Sequence, residues 1–245
     1  MSPQPVQNHL LSSLPTADWH QLLPHLDWIE LQAGAVLYEA GEQLSHVHFP
    51  ATATVSLVAS MRDGVSAEVA VVGHEGVVGI CAFMGDAPSM SRAVVHTAGY
   101  GLRMSAPAIS AASRDSAPLM QVLLRYVQAL FAQMAQTSAC NRHHAVDQRL
   151  CRWLLTHHDR SASHELHSTH EAIADMLGAR RESVTASAFK LQAAGLIRYH
   201  RGHMSILDRQ GLMRKCCECH AVISTAYESL QHTAMATTAR PTALA

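Results

Sequence analysis

Three thiols and an imidazole stand within five residues near the C-terminus, in the segment Cys216-Cys217-Glu218-Cys219-His220. Thiolates and imidazoles are zinc ligands, and exposed thiols of low pKa also respond to oxidants. Adjacent residues of a helix point away from one another, so this segment alone closes a four-ligand site only awkwardly. We expect Cys216, Cys217 and Cys219 to be reduced thiols, and the sequence leaves open whether they are redox-active or bind metal.

The chain also contains 18 histidines, some of them in pairs such as His143-His144. A zinc-dependent protease places two histidines four residues apart on one helix face. The segment His164-Glu165-Leu166-His167 is one residue too short for that spacing, and the segment that begins His170-Glu171 has Ala174 in place of the second ligand. We therefore predict no metal site, no cofactor and no catalytic residue, and keep a metal-dependent enzyme as the less favoured alternative.

A different chemistry is indicated by Arg181 and Glu182, which follow a short helical pattern and a glycine turn. Side chains at the start of a recognition helix reach base edges in the major groove, where Arg donates two hydrogen bonds to guanine and Glu accepts one from cytosine. We predict that Arg181, Glu182, Thr185 and Ala186 read bases. Five further residues are predicted to contact phosphates: Thr169, Arg180, Ser183, Lys190 and Arg201.

These residues need a helix-turn-helix to position them, and residues 168–197 have its pattern. Ser168 and Glu171 are typical of a capping box at the start of a helix, and Leu177-Gly178-Ala179 predicts the turn that follows. The second helix has apolar residues four and three positions apart on one face: Val184, Ala188 and Leu191. The segment therefore predicts two short helices around a glycine turn.

A basic hairpin is predicted directly after the second helix. Its strands are Leu196–Tyr199 and Met204–Leu207, and its tip is His200-Arg201-Gly202-His203. The charge of the chain agrees with a nucleic-acid partner, because residues 142–215 contain 12 Lys and Arg against 7 Asp and Glu, whereas residues 1–141 contain 5 against 10. A basic segment in an otherwise acidic protein is typical of a domain that neutralises phosphates.

The first half of the chain predicts β-structure. From Trp28 to about Met104 it consists of short apolar runs separated by Gly, Pro, Asp and Ser, which is typical of an antiparallel sheet or barrel. Arg62-Asp63-Gly64 predicts a turn that joins the strands Val55–Met61 and Ser66–Val72 into a hairpin.

A long helix is predicted from Ala117 to about Asn141, about 36 Å in length, with Pro118 in its first turn. Its apolar residues recur three and four positions apart, which leaves two possibilities open. The stripe packs either on the chain's own β domain or on the helix of a second copy. The positions predicted to form a dimer contact are Leu119, Leu123, Tyr126 and Leu130.

The ordered set of capped helix, glycine turn, Arg181-Glu182 and basic hairpin resembles the Crp/Fnr family of bacterial transcription regulators, from about Leu31 to Leu212. The segment LQAGAVLYEAGE is similar to the start of that family's cyclic-nucleotide-binding β-roll. The resemblance implies an α+β fold with an antiparallel, jelly-roll-like β-roll, a long dimerisation helix and a C-terminal winged helix-turn-helix. It also implies a homodimer on a palindromic operator, with half-site centres about 34 Å apart.

The corresponding division of the chain has five parts. They are a helical lead-in over residues 1–27, a β-roll sensor over 28–114, the dimerisation helix over 115–141, the winged domain over 142–215, and a helix with a flexible tail over 216–245.

Two departures from the family pattern affect the predicted function. The cyclic-AMP binders hold the ribose with a Glu in a Gly-Glu-Leu cassette, whereas this chain has Gly76-Val77-Val78-Gly79. Val77 would leave a buried ribose hydroxyl unpaired, at a cost of about 1–3 kcal/mol. We expect an effector pocket that includes Gly76, Val77, Gly79 and the phosphate-binding candidate Arg92, but not one that binds cyclic AMP. Ala186 replaces an Arg of the family, so we also expect a different operator.

The sequence therefore predicts a cytoplasmic, non-enzymatic transcription regulator that binds double-stranded DNA as a homodimer. RNA polymerase and an unidentified small-molecule effector are its further candidate partners, and no membrane contact is expected. No run of eighteen apolar residues is present, and MSPQPVQNHLLSS has neither the basic region nor the apolar core of a secretory signal. The alternative is a signal-binding module that acts on a protein partner and does not bind DNA.

Overall fold

A computed structural model of the chain describes residues 8–85, 87–161 and 165–237. Two large hydrophobic cores organise these residues, one built mainly from residues 10–130 and the other from residues 150–212. The first seven residues of the predicted lead-in, His164, and the last eight residues of the predicted tail lie outside the described residues. None of the helices within the described ranges combines the length and the apolar character needed to cross a bilayer.

The N-terminal half is an antiparallel β-roll, as the sequence predicted. Its strands are β1 (Asp27–Leu31), β2 (Val36–Tyr38), β3 (His46–Pro50), β4 (Thr54–Ser60), β5 (Ser66–Val72), β6 (Arg92–Thr97) and β7 (Gly99–Ser105). One sheet has the order β1-β7-β3 and the other the order β2-β6-β4-β5. Burial alternates along β6, where every second residue points into the core.

The predicted hairpin is confirmed with a small shift. Strand β4 begins and ends one residue earlier than expected, and β5 has the predicted bounds. The two strands pair with Val55 opposite Val72 and Ser60 opposite Ser66. Gly64 in the turn has a φ of +87°, a backbone conformation that residues with a side chain rarely adopt.

The described part of the first half also contains a 3-10 helix (Leu23–His25) and four short α-helices: α1 (His9–Ser12), α2 (Thr16–Leu22), α3 (Cys81–Met84) and α4 (Ala106–Asp115). The Asn8 side chain caps α1, and its amide also donates to the carbonyls of Pro50 at 2.8 Å and Gly76 at 2.9 Å. These bonds attach the lead-in to the roll. The sequence analysis missed α4, because its run of alanines and serines has only Ile109 as a large fully buried residue.

The long helix α5 spans Ala117–His143, so it starts where expected and ends two residues later. Its 27 residues extend about 40 Å. The four residues predicted to form the dimer contact, Leu119, Leu123, Tyr126 and Leu130, are each at most 1% exposed and belong to the core of the β-roll. Their assignment to a dimer contact is therefore wrong, because this face of α5 packs on the chain's own β domain.

Between residue 146 and residue 237, the described part of the chain contains five helices and one small sheet. The helices are α6 (Val146–Arg160), α7 (His170–Leu177), α8 (Arg181–Ala193), α9 (Arg209–Lys215) and α10 (Cys219–Thr237), and the strands are β8 (Glu165–His167), β9 (Ile197–His200) and β10 (His203–Ile206). The sheet order is β8-β10-β9, so the predicted hairpin gains a third strand that the sequence analysis missed.

Helix α10 leaves the winged half and returns to the first half, where it packs along α5. The Tyr227 hydroxyl donates to Gln133 Oε1 of α5 at 2.8 Å, and the Tyr227 ring lies 4.3 Å from the Arg160 guanidinium. One aromatic side chain thus joins α5, α6 and α10.

Two buried ion pairs hold α6 on the β-roll. His157 Nε2 lies 3.0 and 3.1 Å from the two carboxylate oxygens of Glu68 on β5, and Ser56 Oγ donates to the same carboxylate at 2.5 Å. Burial opposes the charge of Glu68, but the attraction and hydrogen bond of His157 outweigh it and lower the pKa of Glu68. Arg160 Nε lies 2.9 Å from Glu75 Oε1 at the same interface.

His96 of β6 lies beside these ion pairs. Its ring is 4.4 Å from the ring of His157 and 5.4 Å from that of Trp153. Burial, together with the nearby His157, lowers the pKa of His96 from 6.5 to about 3. The interface between the two halves therefore contains an imidazole that is neutral at physiological pH.

We expect this imidazole to make the protein less stable in mild acid. The unfolded chain takes up the His96 proton below about pH 6.5, whereas the folded chain resists it down to about pH 3. The contribution of the neutral His96 to the free energy of unfolding is complete above pH 6.5. It decreases as the pH falls, and at pH 5 it is smaller by about 2 kcal/mol. Urea unfolding at pH 7.5 and pH 5 measures the change.

The variant His96→Gln should show a smaller loss of unfolding free energy between these two pH values than the wild type. His25→Gln, which removes an exposed imidazole from the lead-in, is the matched control and should behave like the wild type. An identical pH dependence in His96→Gln and wild type would contradict the assignment. The lowered pKa of Glu68 adds its own loss only below about pH 4.5, outside this window.

Candidate nucleic-acid interface

The first helix of the motif, α7, is capped one residue later than predicted. Thr169 is the N-cap, and its Oγ1 accepts a hydrogen bond from the Ala172 N–H at 3.1 Å. Ser168 has a different role, because its N–H donates to the Gly202 carbonyl at 2.8 Å and so attaches the start of α7 to the hairpin turn. The predicted capping box at Ser168 is therefore wrong in register, although the helix it predicted is present.

The turn between α7 and α8 depends on Gly178. This residue has a φ of +56° and a ψ of +47°, the left-handed conformation that ends many helices. Its neighbour Ala179 donates to the Ala174 carbonyl at 2.9 Å, which closes the end of α7. The glycine turn predicted from the sequence is confirmed.

Helix α8 has a buried face and an exposed face. The predicted buried residues Val184, Ala188 and Leu191 are at most 5% exposed. The four predicted base-reading residues are all exposed on the other side, where they line a shallow concavity of about 660 Å³: Arg181, Glu182, Thr185 and Ala186. The structure thus brings the predicted readers together on one accessible surface, which we call the reading face.

Phe189 also lies on the reading face, and the sequence analysis missed it. Its side chain is 72% exposed and lines the same concavity. The available signal was its spacing, because Phe189 follows Arg181 and Thr185 at intervals of four, whereas the buried face carries Val184 and Ala188. An exposed phenyl group on such a face can contact the methyl group of thymine.

Neighbouring elements hold the reading face in place. His170 of α7 places its Nδ1 3.1 Å from Thr185 Oγ1, and its ring stacks at 4.1 Å on Tyr199 of β9. Burial and the charge of Arg181 lower the pKa of His170. Thr185 is thus positioned from both the first helix and the hairpin.

Two of the predicted phosphate contacts are exposed, one at the start of α8 and one on the hairpin that follows it. Arg180 is the exposed N-cap residue of α8, and Arg201 lies at the tip of the β9–β10 hairpin. Arg201 has a φ of +47° and Gly202 a φ of +85°, as in the two-residue turns that suit a tight hairpin. The hairpin therefore presents the Arg201 guanidinium to solvent.

The other three predicted phosphate contacts have partners or neighbours within the chain. Lys190 Nζ lies 3.0 Å from Asp147 Oδ2, in an exposed pair that a phosphate can replace at a cost of about 0–1 kcal/mol. Ser183 is partly exposed in the first turn of α8. Thr169 lines a cavity of about 490 Å³ between the hairpin and the β-roll, and this cavity does not include the reading face.

The structure places the predicted effector-pocket residues in two different surroundings. A Cβ atom at Gly76 would lie 2.3 Å from the Tyr126 ring, and Val77 is 1% exposed in the core. Gly79 has a φ of +98°. Arg92 instead places its Nε 3.1 Å from Glu39 Oε1 in a largely exposed ion pair. Gly76 and Val77 thus pack towards α5, whereas Arg92 faces the surface.

A substitution series tests the position of the α7 cap. Thr169→Ala should lower the free energy of unfolding by about 1 kcal/mol, because the Ala172 N–H loses its acceptor, and Thr169→Ser should restore most of it. Urea unfolding at neutral pH measures both. If Ser168→Ala lowered the free energy of unfolding more than Thr169→Ala does, the cap would be at Ser168 and not at Thr169.

Two family models match the chain. A cyclic nucleotide-binding domain matches residues 28–115, and a Crp-like helix-turn-helix domain matches residues 148–215. No curated protein sequence matches significantly.

Solved structures resemble the chain over most of its length. A crp/fnr family protein from Eubacterium rectale has a TM-score of 0.65 and 19% identity, covering 91% of this chain and 97% of its own. FixK2 from Bradyrhizobium japonicum has a TM-score of 0.67 and 14% identity, covering 78% and 98%. The regulator CLP of Xanthomonas campestris, described as responsive to c-di-GMP, has a TM-score of 0.63 and 16% identity, covering 78% and 99%. At these identities the likeness shows the fold.

Proposed function

The chain belongs to the Crp/Fnr family, whose two domains it contains in order, and we propose that it acts in the cytoplasm as a homodimeric transcription regulator on a palindromic operator. Its C-terminal domain is a Crp-like DNA-binding domain. The reading face carries the proposal, because its polar and charged side chains are exposed on a helix that a capped helix and a basic hairpin hold in place. We propose that the protein is a regulator without catalytic activity.

The chemistry of the reading face supports sequence-specific binding. Arg181 can donate two hydrogen bonds to a guanine, Glu182 can accept from a cytosine, and Thr185 offers a hydroxyl fixed by His170. Ala186 and Phe189 add apolar contacts for thymine methyl groups. Arg180, Ser183, Lys190 and Arg201 surround this face with phosphate contacts, which set the register without reading sequence.

A second stripe on α5 supports the homodimer. Exposed residues recur along it at alternating intervals of three and four: Gln121, Leu124, Gln128, Phe131, Ala135 and Ser138. Leu124 is 53% exposed and Phe131 is 72% exposed, although both are large apolar side chains. A repeat of 3.5 residues is the pattern by which two helices pack along each other. We propose that this stripe, and not the buried one, packs on α5 of a second copy.

We propose an effector other than cyclic AMP. The buried Val77 and the outward-facing Arg92 do not offer the ribose and phosphate contacts that the sequence pattern would need. A protein of the same fold is described as responsive to c-di-GMP, which supports a different nucleotide or another small molecule as the signal. RNA polymerase is a proposed partner of the DNA-bound form.

Selection of bound sequences from a random DNA pool tests DNA recognition. We expect the 245-residue chain to enrich a palindrome, with or without a cyclic nucleotide or oxidant present. Arg181→Ala should bind the enriched site about 10- to 100-fold more weakly and lose preference at one position, because the lost base contact is worth about 1–3 kcal/mol. Its affinity for random DNA should change little.

Arg201→Ala should weaken binding to cognate and random DNA alike and reduce the salt dependence, because it removes a phosphate contact. Arg62→Ala removes an exposed arginine of the β-roll and serves as the matched control. Equal effects of Arg181→Ala and Arg201→Ala on both kinds of DNA would contradict the assignment of readers. No enrichment under any condition would favour the module that acts on a protein partner.

Sedimentation velocity tests the proposed dimer stripe. Leu124→Glu combined with Phe131→Glu should convert the dimer to a folded monomer, since two charges would then face each other across a desolvated helix pair. Met61→Glu, which changes a 63% exposed apolar side chain of the β-roll, should leave the dimer intact. A dimer that persists in the double variant would contradict the proposal that this stripe forms the dimer contact.

A further inference from the structure

Four ligand-type side chains from distant parts of the chain meet at the C-terminal end of α5: Cys140, His144, Cys217 and Cys219. Their sulfur and nitrogen ligand atoms all lie within 4.8 Å of one another. Cys140 Sγ is 3.6 Å from Cys217 Sγ, and Cys219 Sγ is 3.4 Å from His144 Nδ1. In a tetrahedral zinc site, sulfur and nitrogen ligands stand about 3.5 to 3.8 Å apart. Two of the six separations thus match the ligands of one tetrahedral cation, and the other four do not exceed 4.8 Å.

Two segments of the chain supply the four groups. Cys140 and His144 are four residues apart at the end of α5, Cys217 lies in the segment that joins α9 to α10, and Cys219 is the first residue of α10. The C-terminal segment offers only some of the ligands, and α5 provides the others. Cys140 and Cys219 are 0% exposed and Cys217 is 6% exposed, so the sulfur atoms are shielded from water.

The groups around this cluster are those that support thiolate and imidazole ligands. The other nitrogen of His144, Nε2, lies 3.4 Å from Glu218 Oε1, and a carboxylate behind a ligating histidine orients the ring. Gln136 Nε2 donates to Cys219 Sγ at 3.1 Å, and Arg152 Nε donates to Cys140 Sγ at 3.2 Å. N–H donors to sulfur stabilise the thiolate form that a cation needs.

The charge of Arg152 is an independent indication. Its side chain is buried, and its two remaining bonds go to the neutral oxygens of Thr137 at 3.3 Å and Asn141 at 3.4 Å. Within the described ranges, no carboxylate forms an ion pair with it. A buried cation is normally paired with an anion. Three thiolates and a neutral imidazole around a divalent cation carry a net charge of −1, which Arg152 would offset.

We propose that Cys140, His144, Cys217 and Cys219 form a closed, four-coordinate site for a tetrahedral cation of the zinc type. The cation would join the end of α5 to the segment that leaves the winged half. Helix α6 starts only two residues after His144, so an occupied site would fix the junction that orients α8. The site stands on these contacts alone, and only its effect on DNA binding rests on the proposed function.

Metal content and cobalt spectroscopy of the 245-residue chain test this site. Protein purified under reducing conditions without chelator should contain one zinc ion per chain. After chelation, added Co²⁺ should give thiolate-to-cobalt charge-transfer bands and the intense visible bands of tetrahedral cobalt, and Zn²⁺ should displace both. These measurements use the native chain, so they do not depend on whether a variant folds.

Variants then identify the ligands. Cys217→Ser and Cys219→Ser should lose the stoichiometric metal, with circular dichroism as the check on folding. Cys216→Ser changes the adjacent thiol, which is not in the cluster, and this variant should retain the metal. Glu218→Gln should weaken Co²⁺ binding by about 10- to 100-fold, because the imidazole loses its supporting carboxylate.

Three results would overturn the proposal. They are an absence of both zinc and the cobalt bands in the native chain, a loss of metal in Cys216→Ser equal to that in Cys217→Ser, and a Cys140–Cys217 disulfide in protein prepared in air with zinc present. The last result would make the close thiols an oxidisable pair. None of these readouts involves DNA, so failure of the proposed regulator function would leave them interpretable.

Discussion

The carboxylate of Glu68 is buried in a sheet of the β-roll, and the imidazole that pairs with it, that of His157, comes from the other half of the chain. A buried charge without a partner costs several kcal/mol, so Glu68 and His157 stabilise the fold only while α6 lies on β5. The pair of Arg160 with Glu75 imposes the same requirement one helical turn further along. The position of α7, α8 and the hairpin follows from α6, because all three pack on the core that α6 contributes to.

Helix α5 has apolar residues on two of its sides, one buried and one exposed. Leu119, Leu123, Tyr126 and Leu130 complete the core of the β-roll, while Leu124 and Phe131 remain exposed on another side. Periodicity predicts that a helix is amphipathic, but a helix with two apolar stripes does not show which of them the first domain buries. The helix was predicted correctly from its spacing, but the residues assigned to a dimer contact lie on the stripe that the first domain buries.

The features that the sequence predicted well are local ones. The glycine turn at Gly178, the apolar face of α8 and the β4–β5 hairpin each depend on residues a few positions apart, so their signals can be read directly. The errors have two physical origins. The cap was predicted one residue early: the Ser168 N–H is bonded to the Gly202 carbonyl, and it is Thr169 that accepts the capping hydrogen bond from Ala172. The sequence indicated only part of the thiol cluster, because Cys140 and Cys217 are 77 positions apart and no local pattern relates them.

The return of α10 to α5 limits how the winged half can rotate relative to the rest of the chain. The chain enters this half after His144 and leaves it at Cys216, and the two crossings lie side by side because Cys140 and Cys217 are 3.6 Å apart. A domain on one linker can swivel in any direction, whereas here entry and exit form a single pivot with α5 and α10 anchored behind it. A rotation of the winged half about this point would move the hairpin tip most and the thiols least, and the buried contacts of His157 with Glu68 and of Arg160 with Glu75 oppose it.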